Sequence, residues 1–160
     1  MFPRKDMVFD TFKVNEYNHK IFDYAYLFTQ GNKYPLLMIL GEFDDVYHLR
    51  YAVVNELGSE VVHLNMDEWN DQLVHAIKTK NMQEFNSRMI NLPYMVISDI
   101  EELEDKESTE MFFMDLLKER IELGHPTLLL SKLPGKKLVE KVGNLCRYAA
   151  AYKVVKSETH

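Results

Sequence analysis

Pro35-Leu36-Leu37-Met38-Ile39-Leu40 runs directly into Gly41-Glu42-Phe43-Asp44-Asp45-Val46-Tyr47-His48-Leu49. The first stretch is a continuous apolar run, the mark of a strand buried on both faces. Beyond the glycine, Leu49, Val53, Val54 and Leu57 recur at helical spacing. Strand, glycine turn and helix form the geometry that cradles phosphates: backbone N–H groups and a helix N-terminus face the anion, and a lysine reaches the terminal phosphates. The chemistry of such a cradle is missing. Val46 stands at the lysine position, Tyr47 at the hydroxyl position that serves Mg²⁺, and Phe43 and Asp45 at the inner glycines. Asp44 and Asp45 repel an anion rather than attract one.

Outward from this turn, apolar runs alternate with helical patterns. Strands are predicted at 35–41, 60–65, 93–98, 126–130 and 152–155. Between them, helices are predicted over 46–57, from an Asp67 N-cap through the stripe Trp69, Leu73 and Ile77, over 82–90, from Ser108 to a stop at Gly124, and over 136–145. Phe112, Phe113, Leu116, Leu117 and Ile121 supply the apolar face of the fourth. The charged run Glu101–Glu107 reads as a solvated loop and helix start. Continuous apolar strands separated by helices predict an α/β fold, a three-layer α/β/α sandwich around a five-stranded parallel sheet. The expectation is one domain over 1–160, without internal repeat or linker.

A net charge of −6 and a pI near 5.5 argue against a dominant phosphate-backbone binder, although they leave room for a local basic patch. The single cysteine, Cys146, rules out an internal disulfide. Histidines 19, 48, 63, 75, 125 and 160 show no ligand spacing, so no metal site is expected. Arg4 and Lys5 precede no apolar signal core, and no segment approaches the roughly 18 apolar residues of a membrane span. The expectation is a soluble, cytoplasmic protein.

The order of segments resembles the AAA+ domain of the bacterial replication initiator DnaA family, over about residues 8–156. Phe9-Asp10-Thr11-Phe12-Lys13-Val14 with Asn18 resembles the segment that packs beside adenine in that family. Residues 35–41 with His48-Leu49 and Asn55-Glu56 resemble its phosphate-loop strand and helix, and 61–85 its second strand and initiator-type helical insertion. Met95-Val96-Ile97-Ser98-Asp99-Ile100 resembles the Walker B strand, followed by the helix start at Lys106-Glu107-Ser108-Thr109. Leu128-Leu129-Leu130-Ser131 resembles the sensor I strand, and Leu145-Cys146-Arg147-Tyr148 the arginine-finger segment.

The resemblance also defines departures. The phosphate loop keeps Gly41 but has Asp45, Val46 and Tyr47 where the family needs its anion-binding residues. The paired Walker B carboxylates are Ser98 and Asp99, the sensor I polar position is Lys132, and Asn15 replaces a glycine after the adenine segment. The helical lid with its sensor II arginine, and the duplex-reading domain, are expected to be lacking. Phosphoryl transfer works by positioning and electrostatic stabilisation, so losing several of these parts together implies no ATPase activity and no nucleotide cofactor. Tyr47 is expected to fill the emptied pocket, and Lys132 to pair with Asp44, Asp45 or Asp99.

Arg147 is the family feature that stays intact. The resemblance implies that it is offered across an interface to an AAA+ replication protein such as DnaA. The first reading is therefore a catalytically inactive domain serving protein interaction in the initiation or regulation of chromosomal replication. The alternative is an accessory single-stranded-DNA binder using the insertion helices, with Lys78, Lys80 and Arg88 as its cations, diluted by Glu68, Asp71 and Glu84. A third reading is an ATPase with an unorthodox site. Trp69 could stack on a base, but its spacing to Leu73 and Ile77 assigns it to the core.

Overall fold

The computed structural model describes residues 4–31 and 33–158. Met1, Asn32 and His160, along with 2–3 and 159, lie outside the described residues. Five parallel strands, β1 (Leu36–Leu40), β2 (Val61–Asn65), β3 (Tyr94–Ser98), β4 (Thr127–Ser131) and β5 (Lys153–Lys156), form one sheet in the order β2-β3-β4-β1-β5. Six helices cover it: α1 (His19–Phe28), α2 (Phe43–Leu57), α3 (Met66–Lys78), α4 (Met82–Ile90), α5 (Glu107–Glu122) and α6 (Gly135–Ala150).

The interior position of β1 explains the continuous apolar run. Its side chains alternate, so Leu36, Met38 and Leu40 enter the core beneath α3, α4, α5 and α6, while Leu37 and Ile39 enter the core beneath α1 and α2. All five are buried, each worth about 1.5–3 kcal/mol relative to exposure. Trp69 is 1% exposed and packs edge-on against Phe113, with ring centroids 5.0 Å apart, as its helical spacing predicts.

Several boundaries differ from expectation. Helix α2 begins at Phe43, three residues earlier, because the acidic residues Asp44 and Asp45 favour the positive end of the helix dipole. Helix α3 is capped by Asn65, not Asp67: Asn65 Oδ1 accepts the Glu68 N–H at 2.8 Å and the Glu68 carboxylate accepts the Asn65 N–H at 2.9 Å. Ile77 and Phe112 lie outside their apolar stripes and are exposed. The run after Asp99 is not a simple solvated loop. Ile100–Leu103 forms a 3-10 turn that buries Ile100 and Leu103 against α3 and α6. Helix α1, not expected from the apolar pattern, closes the second face with Ile21, Ala25 and Phe28.

One buried charge ties three elements together. Arg120, fully buried on α5, donates to Thr127 Oγ1 at 2.8 Å and to the carbonyls of Met89 (2.8 Å), Ile90 (3.4 Å), Leu92 (2.7 Å) and Pro126 (2.9 Å). It thereby fixes the C-terminal end of α4 and the starts of β3 and β4. Burial lowers its pKa to about 10, leaving the guanidinium charged at neutral pH.

Candidate functional site

Strands of a parallel α/β sheet place their functional groups at the carboxyl ends. Here those ends are Leu40-Gly41, Ser98-Asp99 and Ser131-Lys132, with the start of α2 above them. Gly41 is required by packing: a Cβ there would stand 2.8 Å from Ile21 Cδ1 and 3.2 Å from Val46 Cγ1. Val46 turns into the core under α1 and α2. Asp45 accepts a hydrogen bond from Asn18 Nδ2 at 3.3 Å, and burial pushes its carboxyl up. The buried Asn18 also caps the preceding turn, its Oδ1 accepting the Asn15 N–H at 2.7 Å. His48 Nε2 lies 2.8 Å from the Val8 carbonyl. These contacts hold the N-terminal segment against α2.

The centre of the site is Arg50, one helical turn beyond Val46 and outside the set of residues expected from the sequence. Its guanidinium lies 4.5 Å from the ring centroid of Tyr47 and 4.7 Å from that of Tyr51. Its Nη1 donates to Ser98 Oγ at 3.1 Å, while its Nε is buried without a hydrogen-bond partner. Ser98 Oγ also lies 3.2 Å from His63 Nε2. Burial, followed by the charge of Arg50, lowers the His63 pKa to about 3. The imidazole is therefore neutral, its Nε2 within hydrogen-bond distance of the serine oxygen that accepts from arginine. Tyr47 does help fill the site, but a cation stacked on it fills the rest. A cavity of about 20 Å³ remains among Phe43, Tyr47, Arg50, Ser98 and Lys132, room for about one water.

The expected pairing of Lys132 with Asp44, Asp45 or Asp99 is not formed. Lys132 makes no ion pair within 4 Å of any described carboxylate, and its amine lies 5.8 Å from the centroid of the Phe43 ring. Asp45 is turned toward Asn18, and Asp99 sits in the left-handed region (φ 56°) at the turn out of β3. Glu101 takes a place at the site instead, accepting from Ser131 Oγ at 2.7 Å. Burial raises its carboxyl pKa.

Arg147 lies away from this centre, near the end of α6. Its guanidinium folds back to donate to Asn144 Oδ1. Gly143 permits that course, because a Cβ there would stand 3.3 Å from Arg147 Nη1. The groove beside it, about 260 Å³, is walled by Glu107, Glu110, Lys106 and Lys141. Lys78 and Lys80 are exposed at the junction of α3 and α4. Arg88 lies over the Phe85 ring at 5.7 Å, in a separate groove it shares with Asp71 and Glu84. The structure thus brings Tyr47, Ser98, Asp99 and Lys132 together and leaves Arg147, Lys78, Lys80 and Arg88 elsewhere.

The sequence signal for Arg50 and His63 is a polar group inside an apolar stripe. Arg50 falls between Val46 and Val53 at helical spacing, and His63 interrupts Val61-Val62-His63-Leu64.

Sheet order β2-β3-β4-β1-β5, with a strand–glycine–helix turn after β1 and a two-helix insertion after β2, defines a P-loop-type domain of the AAA+ class. The chain belongs to the bacterial DnaA ATPase domain family, whose family model matches residues 5–147. It is 28% identical over 117 residues to the chromosomal replication initiator protein DnaA of Aliarcobacter butzleri, covering 69% of this chain and 27% of that protein. The chain thus spans about a quarter of the length of that relative. A solved replication initiator DnaA bound to AMPPCP and single-stranded DNA superposes with a TM-score of 0.88 at 21% identity, over 99% of this chain and 51% of the other. The DnaC helicase loader superposes with a TM-score of 0.77 at 11% identity, over 96% and 98%. At these identities the two structures bear on the fold alone. No described helix is long and apolar enough to cross a membrane.

Proposed function

We propose that this chain is a catalytically inactive DnaA-type domain that serves as a protein-interaction module in the initiation or regulation of chromosomal replication. The observation that carries this reading is Arg50 stacked at the strand ends with Ser98 in hydrogen-bond reach. Mg²⁺ takes carboxylate, phosphate and water oxygens. The groups gathered around Ser98 are a guanidinium, a hydroxyl and a neutral imidazole, with Asp99 and Lys132 also lining the cavity; one carboxylate beside two cations is a poor oxygen shell for a magnesium–nucleotide pair. A fixed cation also repels a second one, and the cavity beside it holds no more than about one water. The site is filled by its own side chains and needs no nucleotide to be complete.

Two measurements test this. ATP with Mg²⁺ is expected to leave the melting temperature unchanged, whereas a ligand at 100 times its Kd stabilises by about 2.7 kcal/mol. A magnesium-dependent rise of several degrees would restore the ATPase reading. Binding to the active DnaA of the same cell, loaded with ATP or ADP, is expected to weaken about tenfold or more for Arg147→Ala, as befits an arginine supplied in trans. Equal binding by both proteins would remove Arg147 from the interface, and no binding in either nucleotide state would reduce the replication role to ancestry.

The single-strand reading rests on the α3–α4 groove, about 400 Å³, where Arg88 and Phe85 stand together. Asp71, Glu84 and His75 share its walls, so it offers a phosphate backbone little net attraction.

A further inference from the structure

Helix α6 carries more apolar surface than the core takes up. Its buried row is Leu138, Val142, Leu145 and Ala149. Val139, Cys146 and Ala150 each follow a member of that row by one position, so they form a second row beside it. Val139 is 50% exposed, Ala150 is exposed and Cys146 is half-buried. Strand β5 shows the same surplus. Val155 enters the core beneath α1 and α2, whereas Val154, on the α6 side, is only partly covered. β5 is an edge of the sheet, and among the described residues the helical layer on this face ends at α6.

The two uncovered rows meet across a groove of about 360 Å³, floored by Met38 and Leu40 of β1. Both halves of α6 line it: Gly135 and Val139 before the break at Val142 (φ −136°, ψ 53°), Cys146 and Ala150 after it. No carboxylate lines the groove, and Lys156 is its one charged lining residue. The Lys156 amine lies 3.9 Å from where a Cβ of Gly135 would stand, beside the first turn of α6. That turn adds the positive end of the helix dipole and holds no acidic residue. Lys156 makes no ion pair within 4 Å among the described residues, and Glu158 close by is held by Lys20 at 3.1 Å. Glu140, exposed one turn beyond Lys136, lies outside the groove. The groove is therefore apolar along its length and positive at one end.

We propose that this groove docks an acidic amphipathic helix of a partner protein, laid antiparallel to α6 with the carboxylates of its last turn against Lys156. The inference deepens the reading of the chain as an interaction module, and rests on it, by giving that module a second surface. A helix fits the shape. The groove lies over the face of the sheet with α6 as one wall, so its occupant continues the helical layer and buries Val139, Ala150 and Val154 together. An added strand would lie beside β5 in the plane of the sheet and would not reach Val139. Direction follows from charge. The negative end of the incoming helix dipole and any carboxylates near it belong beside Lys156 and the start of α6, which sets the two helices antiparallel. From Gly135 to Ala150 the helix axis runs about 22 Å, so the occupant has about 14 residues.

Cys146, the single cysteine of the chain, lines the groove and allows the test to be made by disulfide capture on the full protein. The probes are synthetic helical peptides of about 14 residues with leucines at helical spacing and one cysteine on the leucine face. One ends in two glutamates, one in two lysines, one carries the glutamates in its first turn, and one ends in glutamates but has a central proline. Each is brought to exchange equilibrium with excess mercaptoethanol, and capture is read by intact mass. The peptide ending in glutamates is expected to be captured about fivefold more than the one ending in lysines. Lys156→Glu is expected to reverse that preference without lowering the melting temperature, since Lys156 is exposed. Arg147→Ala is expected to leave capture unchanged, so this groove and the arginine contact fail separately. Equal capture of acidic and basic peptides, a preference that survives Lys156→Glu, or equal capture of the first-turn or proline peptide would each overturn the inference. The last result would point to an extended or small apolar occupant.

Discussion

Arg120→Met is expected to lower the unfolding free energy by about 3–5 kcal/mol, the cost of breaking a buried, fully hydrogen-bonded charge and leaving its partners unsatisfied. Thermal unfolding followed by circular dichroism should show a drop of about 10 °C, given the 2–4 °C per kcal/mol typical of this chain length. The size of the effect comes from geometry. The guanidinium serves four carbonyls and one hydroxyl from two segments of the chain, so methionine fills the volume but strips a donor from all five; the Ile90 and Pro126 carbonyls keep His125 and the Met95 N–H, while Met89, Leu92 and Thr127 lose theirs. Arg120→Lys is expected to remain destabilised by about 2 kcal/mol, because a single ammonium cannot reproduce the planar fork. A loss below about 1 kcal/mol for methionine would mean that water reaches the site and replaces the lost donors.

The second large effect is a dependence of stability on pH that runs through His63. Its pKa is about 3 in the folded protein against an ordinary 6.5. As pH falls below 6.5, the unfolded chain takes up a proton that the folded protein refuses. The contribution of this histidine is therefore complete above pH 6.5 and is lost as the pH drops toward 3, at about 1.4 kcal/mol per unit. Between pH 6.5 and 4.5 the loss is about 2–3 kcal/mol. Glu101 and Asp45 act in the opposite sense, since their raised values favour the folded state as they protonate at lower pH. His63→Gln keeps an acceptor for Ser98 without a titrating group. Urea unfolding at pH 4.5, 5.5 and 6.5 should therefore give a flatter profile for the variant. Parallel profiles would assign the acid sensitivity to other groups.

Both effects concern polar groups on apolar faces, and this marks where the sequence is legible. The strands can be read because a short, continuous apolar run bounded by turn residues favours a buried strand, and all five expected strands are present within a residue or two. Trp69 can be assigned to the core because its spacing to Leu73 is local information. The α3 cap falls two residues before the expected Asp67, because Asp67 and Asn65 are equally good caps and only the reciprocal bonds with Glu68 decide between them. The site is legible as a set of losses at Val46, Tyr47 and Ser98. Its replacement is not, because the link from Arg50 to Ser98 crosses 48 residues and depends on two tyrosine rings closing around the guanidinium. The Lys132 pair fails for the same reason: Phe43 stands beside the lysine, a contact that chain position alone does not reveal.

The strand order also governs when the molecule can assemble. β1 sits between β4 and β5, with Leu36 aligned to Thr127 and Leu37 to Lys153. β1 precedes every other strand of the sheet, yet its two neighbours are the fourth and fifth strands in sequence. The apolar strand therefore has no sheet neighbour until the chain has reached β4 at Thr127, and such long-range closure is slow. The first stable sheet fragment available to the growing chain is the β2–β3 pair with α3 and α4. Early protection from hydrogen exchange is therefore expected in the helical insertion, with the filled pocket at Arg50 protected later; the reverse order in a pulse-labelling experiment would contradict it.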